Sequence, residues 1–281
     1  MKIGIVGLGL IGGSLALDWR SQGHYLLGVS RQESTCTKAV TQGIVDEAGV
    51  ELSRLSAAEV IVLCTPIALI VPTLEKLIPY LAPETLVTDV GSVKTPIVQA
   101  CRQRWPWFIG GHPMAGTAEQ GIDAAQRHLF VKAPYVLTPT EDTPESFLTP
   151  LQSLIQALGA RYYQCSPQEH DQAVAWISHL PVMVSASLIG ACQSEPQSAI
   201  RQLAQQLASS GFRDTSRVGG GNPELGVMMA QFNREALLTA LQIYQQQLTQ
   251  LSTWIEAEQW SELQQFLIQT QGDRPAYTED L

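Results

Sequence analysis

The amino-acid sequence predicts an α/β fold: a doubly wound parallel sheet in the N-terminal part, followed by an all-α C-terminal part. Three observations predict it. Apolar, β-branched runs alternate with helical stretches up to about residue 165, a glycine cluster joins the first such run to the first helix, and beyond Ser166 helical periodicity continues without strand signals. The boundary is expected near residue 165, giving domains of residues 1–165 and 166–281.

Residues 2–6 (KIGIV) read as a buried strand and 10–20 as a helix, with Gly7, Gly9 and Gly12 between them. A second strand is expected at 24–29, a helix at 32–42 and a third strand at 59–64, where EVIVLC is apolar enough for a position buried on both faces. Next come a helix at 68–81, a strand at 86–88, a helix at 95–104, strands near Phe108 and at 135–138, a helix at 145–158 and a strand at 161–164. From Pro167 the chain reads as helices, with breaks at Pro196, 209–211, 219–223 and Gly272. In the penultimate helix Leu237, Leu241, Tyr244, Leu248, Leu251 and Ile255 recur at spacings of four and three, a seam suited either to an intrachain bundle core or to a homodimer interface.

Composition narrows the class. With 45% hydrophobic and 15% charged residues the chain is an ordinary globular protein, and 281 residues suffice for two cores. Its net charge of −9 disfavours nucleic acid or an anionic membrane surface as partner. The apolar start carries five glycines in its first 13 residues, only Lys2 as a basic flank, and Asp18 soon after, so it reads as structure rather than as a leader or a membrane span. Five scattered cysteines without a CxxC pair suggest reduced thiols and a cytoplasmic location, and no metal site is expected.

The run Gly7-Leu8-Gly9-Leu10-Ile11-Gly12 fits G-x-G-x-x-G between a strand and a helix, the arrangement of a Rossmann-like dinucleotide site. The first glycine makes the turn, the second lets backbone approach a pyrophosphate, and the third allows close helix packing. The second strand ends Gly28-Val29-Ser30-Arg31, without the carboxylate that would accept from an NAD ribose. Ser30 and Arg31 could instead donate to a 2′-phosphate, which favours NADP; Arg31 as a surface helix cap is the other reading. Cys64-Thr65-Pro66 is expected at the carboxyl edge of the sheet, near a bound ribose.

Asp89-Val90-Gly91-Ser92-Val93-Lys94 follows a strand and should rise at the same edge, with Gly91 against the cofactor and Ser92 beside the chemistry. His112 lies in Gly110-Gly111-His112-Pro113-Met114-Ala115-Gly116, read as a loop, where an imidazole can serve as general base at neutral pH. His179, in Ile177-Ser178-His179-Leu180-Pro181, is either a satisfied core histidine or a site residue. Arg213 and Arg217, four residues apart, suit recognition of a carboxylate, or are simply solvated.

Taken together, the glycine motif, DVGSVK, GGHPMAG, ISHLP and GFRDTSR followed by NPELGVMM resemble the prephenate/arogenate dehydrogenases of tyrosine biosynthesis, through nearly the whole chain. The resemblance implies oxidative decarboxylation of a cyclohexadienyl carboxylate, with His112 taking the ring hydroxyl proton, Ser92 bonding that hydroxyl or orienting the histidine, Arg217 clamping a substrate carboxylate, Arg213 nearby and His179 lining the pocket near the nicotinamide. It favours arogenate with NADP, and a homodimer formed through the C-terminal helices; prephenate, giving 4-hydroxyphenylpyruvate, is the alternative. No chorismate mutase region precedes Met1 and no regulatory domain follows Leu281, so a monofunctional enzyme without domain-mediated tyrosine inhibition is expected. A β-hydroxyacid dehydrogenase or imine reductase would use a lysine or a different polar residue from the first long C-terminal helix, where this chain offers His179 rather than a lysine, and a non-catalytic NADP sensor would have no need of Ser92, His112 and Arg217 together.

Overall fold

The computed structural model describes residues 1–117 and 119–278. Eight strands form one sheet in the order β3-β2-β1-β4-β5-β6-β7-β8. They are β1 (Lys2–Val6), β2 (Tyr25–Val29), β3 (Glu47–Gly49), β4 (Val60–Leu63), β5 (Leu86–Asp89), β6 (Phe108–Pro113), β7 (Pro134–Thr138) and β8 (Arg161–Gln164). Neighbours run parallel except β6 and β7, which pair antiparallel with His112 opposite Val136. The fold class is as expected, with that single reversal. β3 was not anticipated, because Glu-Ala-Gly carries neither alternation nor an apolar run.

Helices α1 (Leu10–Ser21), α2 (Glu33–Thr41), α3 (Ile67–Leu77), α4 (Thr95–Arg102) and α5 (Glu145–Ala157) cover the sheet. The period of two along each strand splits the core in two. Ile3, Ile5, Val60 and Val62 pack with Leu15 and Trp19 of α1 and Leu151 and Ile155 of α5. Val6, Ile61 and Leu63 pack with Ile70 and Leu74 of α3 and Ile97 and Val98 of α4. Each fully buried side chain of this kind contributes about 1.5–3 kcal/mol relative to exposure, so both helical layers are held mainly by apolar burial. Trp19 also donates from its indole N–H to the Leu154 carbonyl at 3.0 Å, which joins α1 to α5 without leaving the polar atom unsatisfied.

The helical part consists of α6 (Pro167–Val174), a wide π-turn at Ala175–His179, α7 (Leu180–Gln193), α8 (Ser198–Leu207), α9 (Ser210–Ser216), α10 (Pro223–Phe232), α11 (Arg234–Glu256), α12 (Trp260–Asp273) and α13 (Pro275–Thr278). The break expected at Gly272 falls instead at Arg274, before Pro275, which has no N–H to continue the helix. An unanticipated break separates α11 from α12, where Glu258 takes φ of +54°. By compactness the chain forms two units, Met1–Arg234 and Glu235–Leu281, so α6 to α10 share a unit with the sheet.

Within the second unit, Trp254 and Phe266 bring α11 and α12 together with ring centroids 5.8 Å apart. Of the α11 seam, Leu237 is buried whereas Leu248 and Ile255 are about half exposed, at 47% and 52%. The span Pro167–Gln193 is long and apolar enough, by length and composition, to cross a membrane. It carries buried His170, Asp171 and His179 and includes the π-turn, and the Asp171 carboxylate and His179 Nδ1 are hydrogen-bonded within the first unit.

Candidate active site

Because β1, β2, β4, β5 and β6 run parallel, Gly7, Ser30, Thr65, Ser92 and His112 are delivered to one sheet edge. The strand order reverses between β1 and β4, the place where open α/β sheets leave a crevice. There the glycine turn is tightly built. Gly7 has φ of +102°, and a Cβ on it would sit 2.5 Å from the Cys64 carbonyl oxygen; a Cβ on Gly12 would collide with the Gly7 carbonyl. Gly9 precedes α1 with nothing within 4 Å of its would-be Cβ. Two glycines are thus required by the protein itself, while the middle one leaves open space at the helix N-terminus, as phosphate approach demands.

Nearby, Ser30 is partly exposed, and Arg31 is exposed with no ion pair among the described residues. Thr65 Oγ1 and Ser92 Oγ are buried without partners among the described residues. Such hydroxyls cost about 1–3 kcal/mol each unless something bonds them, so this edge fits a polar ligand. These residues suit a dinucleotide: Leu8, Gly9 and Leu10 lie in the turn, Ser30 and Arg31 follow β2, and Thr65 and Ser92 lie further along the edge.

His112 occupies β6 rather than a loop. Glycine before it reads as flexibility, but here it reflects crowding: a Cβ on Gly110 would lie 2.5 Å from Thr138 Oγ1 and one on Gly111 2.6 Å from the Asp89 carbonyl oxygen. Gly111 is also clamped. Its N–H donates to Asp89 Oδ1 at 3.2 Å, and its carbonyl accepts from Lys94 Nζ at 2.8 Å. Lys94 and Asp89 form an ion pair with both side chains wholly enclosed, so the DVGSVK segment holds the peptide before His112 as well as presenting Ser92.

From His112 a hydrogen-bonded chain runs inward. His112 Nδ1 lies 2.9 Å from His170 Nε2, and His170 Nδ1 donates to Asp171 Oδ1 at 2.8 Å. The Asp171 carboxylate accepts from the Lys94 and Thr95 backbone N–H groups, each at 2.7 Å. Its backbone carbonyl accepts from Asn233 Nδ2 at 2.7 Å, and the same nitrogen lies 3.1 Å from His179 Nδ1. His112 retains 8% exposure and its Nε2 is neither enclosed nor bonded among the described residues, whereas His179 is wholly buried with Nε2 unpartnered among them.

Electrostatics follow from this enclosure. Burial, then the proximity of His170, Lys94 and His179, holds His112 well below the ordinary histidine pKa, so it is neutral at pH 7. Burial likewise lowers His179 to about 4, against a raising influence from Asp171. Burial would raise Asp171, but hydrogen bonds from His170, Thr95 and Lys94 prevail and hold it below the usual carboxylate value. Both lowered histidines bind protons more readily in the unfolded chain, so stability should fall as pH drops below about 6.5. The expected loss is at most about 1.4 kcal/mol per pH unit for each histidine. Denaturant titrations at pH 7, 6 and 5 would show it, and His179→Asn should flatten the slope; an unchanged slope would remove His179 from this account.

Arg213 and Arg217 lie outside the buried network. Both are exposed; Arg213 pairs with Asp214 at 3.0 Å, and Arg217 has no ion pair among the described residues. Gly219 N–H donates to Ser185 Oγ at 2.8 Å, and its lack of a side chain lets the segment after Arg217 press against α7, the helix that His179 immediately precedes. Asp89, Lys94, His170, Asp171 and Asn233 were not picked out from sequence. Pro167, His170, Asp171 and Val174 form the buried face of α6, so two ionisable groups occupy core positions that the polar sequence there does not mark.

Comparison with known proteins decides the family. Residues 15–164 match the model for the prephenate dehydrogenase nucleotide-binding domain, and residues 166–269 the model for the prephenate dehydrogenase dimerization domain. The chain belongs to the prephenate dehydrogenase family. As such it is a dehydrogenase with a nucleotide-binding N-terminal part. It is 32% identical over 261 residues to the prephenate dehydrogenase of Bacillus subtilis, covering 90% of this chain and 70% of that one. It is 64% identical to the crystallised arogenate dehydrogenase of Synechocystis, with a TM-score of 0.91 and coverage of 99% and 100%. The Aquifex aeolicus prephenate dehydrogenase, solved with hydroxyphenyl propionate and NAD+, superposes at a TM-score of 0.92 with 26% identity, covering 99% of this chain and 98% of that one. The glycine motif at 7–12 precedes the matched region, so its assignment rests on the geometry of the turn.

Proposed function

We propose that this member of the family oxidatively decarboxylates arogenate to tyrosine and carbon dioxide with NADP as hydride acceptor. The observation that carries it is the neutral, partly accessible His112, set on the same sheet edge as the glycine turn. The 64% identity to an arogenate dehydrogenase along the whole chain favours arogenate over prephenate, which would give 4-hydroxyphenylpyruvate. Bound nicotinamide supplies the acceptor for the hydride leaving the ring carbon that bears the hydroxyl.

The chain's own residues manage protons and charge. His112 Nε2 takes the hydroxyl proton as the carbonyl forms, and returns it to the phenolate oxygen once carbon dioxide has left and the ring is aromatic. Ser92 Oγ bonds the same hydroxyl, Arg217 pairs with a substrate carboxylate with Arg213 beside it, and His179 lines the nicotinamide end. A spectrophotometric assay crossing both substrates with both cofactors is expected to give the highest kcat/KM for arogenate with NADP. Reduction of neither cofactor with either substrate would overturn the reading.

Ser30 and Arg31 are proposed to hold a 2′-phosphate. Arg31→Ala removes a charge-assisted contact worth about 1.5–3 kcal/mol, so the KM for NADP should rise roughly 10- to 150-fold while that for NAD barely changes. Equal weakening of both would contradict the assignment. We further propose that substrate-binding and dimer contacts reside in residues 166–281, as the boundary at 165 suggests. Exposed Ile200, Leu203 and Leu207 on α8 and Leu248 and Ile255 on α11 support a homodimer, which light scattering would register as twice the chain mass. Five free cysteines support a cytoplasmic location.

A further inference from the structure

We infer that Asp171 is a positioning residue that sets His112 and His179 in opposite tautomers, one as acceptor and one as donor, through two separate hydrogen-bonded arms. The catalytic sense of the arrangement rests on the proposed role of His112; the arrangement itself does not.

The first arm starts from an acceptor that cannot donate. The Asp171 carboxylate already takes two backbone N–H groups, from Lys94 and Thr95, so the His170 nitrogen facing it must carry a hydrogen. With its one ring hydrogen on Nδ1, His170 presents a lone pair at Nε2, and the hydrogen of His112 then resides on Nδ1. His112 Nε2 is left as a lone pair on the accessible side of the ring, oriented as a base. When that nitrogen takes a proton, the new imidazolium faces a carboxylate through one intervening ring, a charge arrangement absent before the step.

The second arm starts from the backbone carbonyl of the same residue. A carbonyl only accepts, so the Asn233 group at 2.7 Å from it is the NH2, which settles the orientation of the amide. That NH2 also faces His179 Nδ1, which must therefore accept. The hydrogen of His179 lies on Nε2, the atom that is buried with no partner among the described residues. It is a donor held ready for an acceptor on a bound molecule. The titratable groups that act on His112 are His170, Lys94 and His179, and those that act on His179 are Asp171 and His170, with His112 as its counterpart in the first set.

The tautomers can be read without turnover. In the full-length protein labelled with 15N-histidine, long-range proton–nitrogen correlation at neutral pH should show His112 protonated on Nδ1 and bare on Nε2, and His179 the reverse. Assignment comes from His112→Asn, His170→Asn and His179→Asn. A hydrogen on His112 Nε2 in the resting protein, or on His179 Nδ1, would overturn the inference whether or not the proposed substrate is correct. Kinetics supply the second arm of the test. His170→Gln keeps an acceptor oxygen for His112 and a donor for Asp171, and should retain kcat within about tenfold; His170→Leu should lose about 10²-fold or more, with nucleotide KM unchanged. Equal loss in both variants, or no loss in His170→Leu, would refute the positioning role.

Discussion

His112→Asn is expected to lower kcat by about 10²- to 10⁴-fold while leaving the KM for the nucleotide nearly unchanged, because it removes the group placed to accept the hydroxyl proton. The substitution is mild in every other respect. The shorter amide side chain it introduces can still donate towards His170 Nε2, and β6 pairing with β7 involves only backbone. The glycine turn lies on β1 and is untouched. A steady-state comparison with saturating nucleotide checks the result, and a rate within a few-fold of the parent enzyme would remove His112 from the base role.

Lys94→Met should cost far more stability than either His112→Asn or His179→Asn. Lys94 and Asp89 are both wholly enclosed, and removing one partner leaves an uncompensated buried carboxylate at a cost of about 3–5 kcal/mol. Against a typical folding free energy of about 5–15 kcal/mol, that is enough to shift a urea midpoint substantially. The Gly111 carbonyl also loses its donor at the peptide preceding His112, so residual enzyme should show a lower kcat. Adding Asp89→Leu should not restore the parent stability, since the Gly91 and Gly111 N–H groups that Asp89 accepts would then be orphaned. A change below about 1 kcal/mol in Lys94→Met would refute this account of the pair.

The sheet was legible because each strand but β3 announces itself by apolar, β-branched or aromatic residues, and the nucleotide edge because glycine spacing encodes backbone geometry directly. Where the reading stopped is equally physical. Gly110-Gly111 looked like a loop because a sequence does not distinguish glycine needed for freedom from glycine needed for close approach. His170 and Asp171 sit just after a Ser166–Glu169 capping box, in a polar first turn indistinguishable from a solvated helix start, and their partners lie 58 and 77 positions away. Asn233 sits at the end of α10 and acts on two groups more than 50 positions earlier. Secondary structure is written locally; a proton-ordering path across four segments is not.

The wide turn at Ala175–His179 has a bearing on how this segment tolerates change in length. In an uninterrupted α-helix eight residues advance by two turns and about 80°, which would point Asp171 and His179 in different directions; one extra residue absorbed by the widened turn takes back about 100° and brings them within about 20° of one another. Shortening the segment by a single residue would therefore yield a more regular helix and a poorer enzyme: every side chain beyond it would swing about a quarter-turn, and Asn233 could no longer bridge the two. Regularity here trades against alignment, and the irregular turn is the form in which both ends of the bridge meet.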